Sequence, residues 1–393
     1  MRVAFGIIGG SFWTGGLNYI ESLVSALHEH PAAGITPVLF ASPDADAAAL
    51  DRLSRFLTEP PHISPAWRRT GSVGVARKLA AAVLQRDVIA ERALKRMSAD
   101  AVFQHSVWYG MRFRVPTVAW IADFQHRGCP GMFTASQRLK RNIGYGLLSR
   151  SADAIMLSSN AARADCISLF PKAAPRCHAL PFVPRQESLA PIDTLLPLRD
   201  RYGLPHKFLF LPNQLWRHKN HLAVIAALRL MRGSADCPTV VACGNPEDYR
   251  DPDHPKRVIA EASEPGIAEH FRFLGMIPRQ DLSGLMRLSA ATVNPSLFEG
   301  WSTTVEESKG LGVPLLLSDI PVHREQAGDR ARYFDPHSPE SIAATLRDAW
   351  AALDAGPRPD AEAAALARHG MLRTSFAEGF AAIARAAVES HRR

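Results

Sequence analysis

The chain has 393 residues, more than one hydrophobic core usually organises, so two domains are expected. Apolar residues make up 47% of the chain and charged residues 21%, a composition typical of a folded protein and not of a disordered one. The five cysteines include no CxxC pair, so the sequence predicts neither a disulfide framework nor a zinc site and suggests a reducing compartment.

The net charge of +8 is unevenly distributed along the chain. Residues 1–195 contain 22 Lys and Arg against 14 Asp and Glu, whereas the remainder contains 24 of each. A one-sided positive field attracts anionic membranes, nucleic acid or phosphorylated substrates, although a general basic bias explains it equally well. No stretch approaches the ~18 to 20 apolar residues of a membrane span, and the N-terminus is unlike a signal peptide, so a cytoplasmic protein is expected.

The first half of the chain alternates short apolar runs with helical stretches. Residues 1–8 form a β-capable run, and a glycine-rich loop then leads into a helix that reaches about His28. Further apolar runs lie at residues 35–42, 99–106, 116–123 and 152–159. Strands that alternate with helices predict a parallel sheet covered on both faces.

Residues 181–205 contain five prolines and little periodicity, which indicates a linker. We therefore predict domains at residues 1–190 and 191–372, followed by an Ala-rich helix at 373–393 that can pack back on the first domain. The second half repeats the pattern, with apolar runs at residues 207–213, 238–244, 271–277, 290–296, 313–319 and 331–335. The predicted fold class is α/β, with two Rossmann-like doubly wound domains whose ligands bind beyond the carboxyl ends of the strands.

The most informative segment is PSLFEGWSTTVEESKGLGVPLLLSDIPVHREQ, residues 295–326. Glu299 follows a predicted strand, and Glu307 lies eight positions later on the next predicted helix. A carboxylate offers two acceptor oxygens to a vicinal diol, and a helix that begins at Ser302 and Thr303 offers free N–H groups to a diphosphate. On spacing alone, the adjacent Glu306 and Glu307 would more often be ordinary solvated helix glutamates.

This segment, together with the FLGMIPRQDL that precedes it, closely resembles the donor-site region of retaining family 4 glycosyltransferases. The resemblance extends over nearly the whole chain and is strongest at residues 211–336. It implies the GT-B fold, in which two Rossmann-like domains face each other across a cleft. It also implies that the N-terminal domain binds the acceptor, that the C-terminal domain binds a nucleotide-sugar, and that the sugar is transferred with retention of anomeric configuration.

The resemblance assigns roles to the two carboxylates and to two cations. Glu299 would accept hydrogen bonds from the donor sugar, and Glu307 would hold the ribose hydroxyls. In LPNQLWRHKNH, Lys219 fills the position of a lysine that binds the donor diphosphate, whereas the family's arginine is replaced by Gln214 and the nearby Arg217 is the substitute. Cations are needed there because negative charge grows on the leaving diphosphate.

Two segments of the N-terminal half also fit the family. GGSFWTGGLNY resembles its glycine-rich first loop, so Gly15 and Gly16 are predicted near the donor, with a simple tight turn as the alternative. In WIADFQHRGCP the family's histidine is replaced by Ala122, so we predict that His126 acts at the anomeric centre and that Asp123 orients it or the acceptor. The alternative is that His126 is a core or surface histidine. The other predicted donor contacts are Asn213, Met276, Ile277, Gly300, Trp301, Ser302 and Thr303.

The sequence predicts no cofactor and no metal site, because no His/Asp/Glu cluster has ligand spacing and the G-x-G-x-x-G fingerprint of a nicotinamide dehydrogenase is absent. Our hypothesis is a hexosyltransferase of polysaccharide, lipopolysaccharide or glycolipid assembly. It would use a UDP- or GDP-sugar and a glycan or lipid-linked acceptor, with no nucleic acid partner. Residues 67–97 form either an amphipathic helix on an anionic membrane or a solvated helix of the acceptor domain. A GT-B sugar-nucleotide epimerase and a non-catalytic sugar-nucleotide-binding protein remain alternatives.

Overall fold

The computed structural model describes residues 1–10, 14–186, 189–248 and 250–392, and these form two compact units. The first unit comprises Met1–Phe124, Ala135–Arg185 and Gly370–Arg393, and the second comprises Gln125–Thr134 and Gln186–His369. The chain passes from the first unit to the second after Arg185 and returns to the first at Gly370. No pattern in the sequence indicates that the ten residues Gln125–Thr134, from the first half of the chain, group with the second unit.

The first unit is built on a parallel sheet. Its strands are β1 (Arg2–Gly6), β2 (Thr36–Ala41), β3 (His62–Ile63), β4 (Ala101–Gln104), β5 (Thr117–Ile121), β6 (Ala154–Leu157) and β7 (Cys177–Ala179). Within the described residues their order is β3-β2-β1-β4-β5-β6-β7. The central strands are buried along almost their whole length, as expected for a sheet with helices on both faces. The two short strands β3 and β7 were not predicted, because each contains a histidine and neither lies in a continuous apolar run.

Helices connect these strands. They are α1 (Thr14–Glu29), α2 (Ala47–Ser54), α3 (Gly71–Val83), α4 (Val88–Arg96), α5 (Gln125–Gly128), α6 (Ala135–Ser151) and α7 (Asn160–Leu169). The basic stretch at residues 67–97 is not one amphipathic helix but contains two, α3 and α4. Gln85 has a left-handed backbone with φ of 56°, and Asp87 caps α4 by accepting a hydrogen bond from the Ala90 N–H, so the chain breaks between them.

The second unit has the same architecture. Its strands are β8 (Leu209–Leu211), β9 (Val240–Ala242), β10 (Phe271–Phe273), β11 (Ala291–Asn294), β12 (Leu315–Ser318) and β13 (Ala331–Phe334). The part of the chain that is described pairs them in parallel in the order β10-β9-β8-β11-β12-β13. The remaining helices are α8 (Leu196–Arg201), α9 (His221–Leu230), α10 (Asp253–Ala262), α11 (Arg279–Leu288), α12 (Thr303–Gly310), α13 (Pro321–Ala327), α14 (Pro339–Ala352) and α15 (Pro359–Arg392).

The last helix is longer than the sequence suggested and contributes to both cores. In the second unit, the Arg287 guanidinium forms a buried ion pair with Glu362, with 2.8 Å between Nη2 and Oε2. In the first unit, Phe376 and Phe380 are buried, and the Phe380 ring lies 5.6 Å from that of Phe5. The final residues therefore form part of the first hydrophobic core. None of the described helices combines the length and apolar composition needed to cross a membrane.

Candidate functional site

The predicted donor residues of the second unit lie in loops at the carboxyl edge of its sheet. β8 and β11 are neighbours there, and the chain leaves them in opposite directions, which makes this a topological switch point. Asn213, which follows β8, donates from Nδ2 to Asn294 Oδ1 at the end of β11 over 3.3 Å and accepts from Thr304 Oγ1 over 3.1 Å. Asn213 therefore holds the two sides of the switch point together.

The start of α12 is fixed by a polar network. Asn294 Nδ2 donates to Ser302 Oγ over 2.8 Å, and the same oxygen accepts from the Val305 N–H at the first turn of the helix. The Gln326 amide binds the Ser302 backbone twice, accepting from its N–H and donating to its carbonyl, each over 3.0 Å. Ser302 is thus a buried N-cap, and Thr303 is the first helical residue. The helix N-terminus is held rigidly, in the arrangement that binds anions in other proteins.

Lys219 and Glu299 form an ion pair at this edge. The Lys219 ammonium lies 2.6 Å from Glu299 Oε1, and the two side chains are only 16% and 9% exposed. Asn220 has a left-handed backbone, and its amide donates to the carbonyls of Pro295 and Pro336 over 3.2 and 2.8 Å, which fixes the loop that carries Lys219. The cation predicted to bind phosphate and the carboxylate predicted to bind sugar therefore lie in direct contact.

Glu306 and Glu307 are neighbours on α12 but have different surroundings. Glu307 forms an ion pair with Arg279, with 3.4 Å between the closest atoms, and its side chain is partly exposed. Glu306 is buried and accepts from Lys309 Nζ over 2.8 Å and from Gln326 Nε2 over 3.0 Å. Glu306 is an internal brace, whereas Glu307 faces partly outward. Sequence reasoning missed Arg279, although it lies within the quoted FLGMIPRQDL.

The other predicted donor residues of the second unit occupy exposed or half-buried loop positions. Met276 is exposed and Ile277 is half-buried in the loop between β10 and α11, while Gly300 and Trp301 are half-buried before α12. Arg217, the predicted substitute for the missing arginine, is exposed, and its backbone N–H donates to Asp248 over 3.2 Å.

Arg250 is a second guanidinium near this loop that the sequence did not single out. Its guanidinium carbon Cζ lies 4.9 Å from the centre of the Trp216 ring and 5.6 Å from that of Phe133. Its Nη1 donates to Gln125 Oε1 over 2.8 Å. Arg250 therefore fastens the excursion Gln125–Thr134 onto the loops of the second unit.

His126 lies in that excursion, on the short helix α5. It is 1% exposed, and its ring is edge-on to Phe133 with 6.5 Å between centroids. Its neighbour Gly128 approaches Phe298 so closely that an added Cβ would lie 2.5 Å from the ring. The segment that carries His126 is thus packed against the residue that precedes Glu299.

Asp123 follows β5 and belongs to the first unit, whereas His126 belongs to the second. Burial, with a smaller contribution from the Asp123 carboxylate, raises the pKa of Tyr145 to about 12. Burial and Asp123 also raise the pKa of Asp165. The Asp123 carboxylate is therefore electrostatically coupled to α6 and α7 of its own unit.

Neutral histidines surround the ion pair of Lys219 and Glu299. Burial lowers the pKa of His323 to about 4, although the Glu299 carboxylate opposes that shift. Burial also lowers the pKa of His221 to about 3 and that of His218 well below its ordinary value. At neutral pH these three rings carry no charge. Lys219 therefore supplies the positive charge beside Glu299. All three lie in strings quoted for the resemblance, yet only the fold reveals their burial.

The glycine-rich N-terminal loop lies in part outside the described residues, which omit 11–13. Gly15 and Gly16, which were predicted in a glycine-rich loop near the donor, lie within the first turn of α1, which begins at Thr14. The backbone requires glycine earlier, at Gly9 and Gly10, with φ of 79° and 147°. Throughout the described ranges, no group of three or more His, Cys, Asp or Glu side chains is placed to hold a metal ion.

Residues 200–352 match the family model described as glycosyl transferases group 1. This segment is therefore similar to that family, and we refer to it as the group 1 domain. The group 1 domain contains strands β8–β13, the pair of Lys219 and Glu299, and Glu307. The match agrees with the broader glycosyltransferase family predicted from the string at residues 295–326, whereas membership of family 4 stays a prediction.

Two curated relatives from Escherichia coli are similar to parts of the chain. The O-antigen chain mannosyltransferase B is 31% identical over 90 residues, which are 23% of this chain and 24% of that protein. The serotype-specific mannosyltransferase WbdA is 28% identical over 161 residues, which are 40% of this chain and 19% of that protein. The chain thus spans about a quarter or less of the length of these relatives.

A solved structure is similar over almost the whole chain. HepE of Anabaena, in complex with UDP and glucose, matches with a TM-score of 0.68 and 18% sequence identity over 97% of this chain and 100% of its own. At that identity the likeness shows the fold. The predicted GT-B fold class, with two Rossmann-like α/β units of which the group 1 domain is the second, is confirmed.

Proposed function

We propose that the chain is a glycosyltransferase that moves a hexose from a nucleoside-diphosphate sugar to an acceptor hydroxyl, with retention of anomeric configuration. The observation that carries the proposal is the contact between Lys219 and Glu299 beside the N-terminus of α12. The group 1 domain thereby offers a cation, a helix N-terminus and two carboxylates at one edge of a sheet. These groups suit the diphosphate, the sugar and the ribose of a nucleotide-sugar.

In this reaction Lys219 and the N–H groups at the start of α12 stabilise the diphosphate as its bond to the sugar breaks. Their stabilisation grows in the transition state because the leaving group gains charge. Glu299 accepts hydrogen bonds from the sugar hydroxyls and orients the anomeric carbon. Glu307 accepts from the ribose, and Arg279 holds its carboxylate in place. The leaving diphosphate helps to take the proton from the acceptor hydroxyl on the same face.

The relatives support the substrate class. Two are mannosyltransferases, one of which builds an O-antigen chain, and HepE binds UDP and glucose. A hexose donor linked to UDP or GDP, and a growing polysaccharide or lipid-linked glycan as acceptor, are therefore the substrates that we assign. The first unit would bind the acceptor, and His126 would act near the anomeric centre with Asp123 orienting the reacting groups.

The key test separates sugar recognition from nucleotide recognition. Glu299→Ala should lower turnover of a nucleotide-sugar by roughly 10² to 10³, as loss of a preorganised polar contact does, while affinity for the bare nucleoside diphosphate changes little. Kinetics with radiolabelled UDP- and GDP-hexoses and calorimetry with UDP and GDP provide the two measurements.

Two further variants make this test decisive. Removing Glu299 leaves a largely buried Lys219 without its partner, which is costly to stability, so Glu299→Gln serves as the variant that retains a hydrogen-bond acceptor. The exposed Glu269 provides a matched control as Glu269→Gln. Equal losses of nucleotide and nucleotide-sugar binding would show that the role of Glu299 is wrongly assigned. Wild-type protein that binds nucleotide-sugars without transfer or hydrolysis would instead be a non-catalytic binding protein, and an epimerase would release an isomerised sugar.

We also propose that α3 contacts an anionic membrane on the cytoplasmic side. Three apolar side chains of this helix, Val75, Leu79 and Val83, are more than half exposed at helical spacing. Lys78 on the same helix is exposed as well. An exposed apolar stripe beside basic residues suits the surface of a bilayer that contains anionic lipid.

A further inference from the structure

Gln326 lies near the end of α13 and is only 5% exposed. Its Oε1 accepts from the Ser302 N–H, and its Nε2 donates to the Ser302 carbonyl, each over 3.0 Å. The second hydrogen of Nε2 binds Glu306 Oε1, also over 3.0 Å. One buried side chain thus makes three hydrogen bonds to the start of α12. It holds that turn firmly, because leaving any of these groups unpaired inside the protein is costly.

The partners of the Gln326 amide determine its orientation. The Ser302 N–H requires an acceptor, whereas the Ser302 carbonyl and the Glu306 carboxylate require donors. Turning the amide over would place its oxygen against two acceptors and its NH2 group against a donor. A single orientation therefore satisfies the network, and a carboxylate, which only accepts, cannot take the place of the amide.

The two bonds to Ser302 lie on opposite sides of its Cα. The Ser302 N–H belongs to the last peptide of the loop that follows β11, and the Ser302 carbonyl belongs to the first peptide of α12. Because peptides are planar, a residue whose two flanking peptides are both held has little freedom left in φ and ψ. Ser302 has φ of −87° and ψ of 113°. Gln326 therefore fixes the angle at which the loop enters the helix.

Glu299 and Glu307 lie on either side of this junction. Glu299 precedes Ser302 in the loop, and its carboxylate contacts the Lys219 ammonium. Glu307 follows Ser302 on α12, and its carboxylate pairs with Arg279. Under the proposed function, the first carboxylate binds the sugar and the second binds the ribose. The backbone angle at Ser302 therefore sets the position of the sugar-binding group relative to the nucleotide-binding group.

α13 is itself anchored to the end of β12. His323 donates from Nδ1 to the carbonyl of Ser318, the last residue of that strand, over 3.0 Å. Arg324 binds both carboxylate oxygens of Asp319, each over 2.7 Å. The Gln326 side chain thus extends from a helix that is fixed to the sheet, so it ties the start of α12 to the edge of that sheet.

We propose that Gln326 is a positioning residue for the donor sugar, because it holds the sugar-binding carboxylate of Glu299 in place relative to the ribose-binding carboxylate of Glu307. It acts through the Ser302 backbone and does not itself contact the donor. The proposal rests on the glycosyltransferase function, from which it takes the roles of the two carboxylates. Loss of Gln326 should misplace the sugar while Glu307 and Arg279 still bind the nucleotide.

The main test replaces Gln326 in the full-length protein. Gln326→Met retains the bulk of the side chain but removes its three hydrogen bonds. Turnover of nucleotide-sugars, hydrolysis included, should fall by about ten- to a hundred-fold, as expected when reacting groups are displaced by about 1 Å or less. Affinity for UDP and GDP, measured by calorimetry, should change by less than about three-fold. Turnover should therefore be lost mainly in kcat.

Selectivity between epimeric donors is a property that a purely structural residue would not change. Kinetics compare UDP-glucose with UDP-galactose, and GDP-mannose with GDP-glucose. A loosened sugar site distinguishes epimers less well, because its hydrogen-bonding groups no longer lie at fixed positions. The ratio of kcat/KM for the pair that wild-type protein distinguishes best should therefore move towards unity in Gln326→Met.

Tyr333→Phe is the matched control. The Tyr333 hydroxyl donates to the carbonyls of His323 and Gly328 over 3.3 and 2.7 Å. This variant therefore also removes hydrogen bonds to α13, but it leaves the contact between Gln326 and Ser302 intact. It should retain both turnover and selectivity.

Exchanging the buried pair provides a second variant, in case Gln326→Met fails to fold. Glu306→Gln and Gln326→Glu together keep the net charge and an acceptor for the Ser302 N–H, but they remove the donor to the Ser302 carbonyl. Turnover should fall several-fold while affinity for UDP and GDP is retained. Thermal unfolding is measured for every variant, so that only folded protein is compared.

The proposal is overturned if the folded Gln326 variants retain wild-type turnover, or if they lose affinity for UDP and GDP as strongly as they lose turnover. It is also overturned if Tyr333→Phe reduces turnover and selectivity to the same extent. These outcomes leave the glycosyltransferase function standing. Absence of turnover in wild-type protein would instead overturn that function and this proposal together.

Discussion

The two units have the same doubly wound parallel architecture but very different side chains at the edge where ligands bind. In the group 1 domain, Asn213, Asn294 and Ser302 are linked by hydrogen bonds that fix the loops and the start of α12. In the first unit, the corresponding edge is lined by aromatic rings and arginines around Gln104. The fold supplies a binding edge in both cases, and the residues of the loops determine its ligand.

The charges at the two edges differ in the same way. The group 1 domain pairs its cation with a carboxylate, as Lys219 does with Glu299, and its neighbouring histidines are neutral. In the first unit, Arg77 is neutralised by Asp87 whereas Arg69 contributes an exposed charge. Under the proposed function, the group 1 domain must release an anion after each turnover. A balanced ion pair favours that release, because an uncompensated cation would retain the product.

The most demanding test of this comparison between the two units uses His126. This residue comes from the first half of the chain but lies in the second unit. If it acts near the anomeric centre, His126→Ala should lower turnover by roughly 10² or more while nucleotide affinity is retained. Because His126 is buried, thermal unfolding must be measured alongside the kinetics. The exposed His337→Ala is the control. A variant that unfolds easily but retains specific activity when folded would make His126 a packing residue.

Glu306 and Glu307 are adjacent on α12, and variants of the two compare a structural role with a binding role within one helix. Glu307→Ala should weaken binding of the bare nucleotide and of the nucleotide-sugar alike, by about ten- to a hundred-fold, which corresponds to about 1.5 to 3 kcal/mol for charged hydrogen bonds. Glu306→Gln should instead lower the melting temperature with little effect on nucleotide affinity, because Glu306 braces Lys309 and Gln326 internally. Calorimetry and thermal unfolding distinguish the two. Unchanged nucleotide affinity in Glu307→Ala would remove Glu307 from the site.

The smallest expected effect concerns the basic surface of the first unit. Replacing the exposed Lys78, Lys95 and Arg96 together by Gln should weaken binding to vesicles containing anionic lipid several-fold. That binding should also weaken as salt shortens the Debye length below about 10 Å. Arg77, although part of the same basic stretch, is excluded from the set because it is buried against Asp87. Sedimentation with vesicles measures the effect, and salt-independent binding would contradict a membrane role.

The sequence was sufficient to predict the architecture and much of the group 1 domain. The apolar runs predicted the long strands because each is buried on both faces. The string around Glu299 and Glu307 predicted the similarity to glycosyl transferases group 1 that is found at residues 200–352. It could not reveal that Gln125–Thr134 leaves its own half of the chain, because that depends on Arg250, which lies far away in sequence. The same is true of Arg279, whose importance arises from a partner on another helix.

The burial of individual polar residues was the feature least predictable from the sequence. The sequence around Arg77 does not distinguish it from the exposed Arg68 and Arg69. Of these three arginines, however, only Arg77 forms an ion pair with a buried carboxylate. The roles of individual donor residues, including Gly15, Gly16, Met276 and Trp301, remain predictions for ligand-bound measurements.

The path of α15 has a consequence for biosynthesis. The core of the first unit requires Phe376 and Phe380, which are translated only after the entire second unit. At about 5 to 20 residues per second, the ribosome needs roughly 10 to 40 seconds to add the intervening residues. During that interval the N-terminal sheet has an uncovered apolar face, so chaperones have time to bind it. A stop codon just before Gly370 would leave the group 1 domain nearly complete but the first unit permanently unfinished.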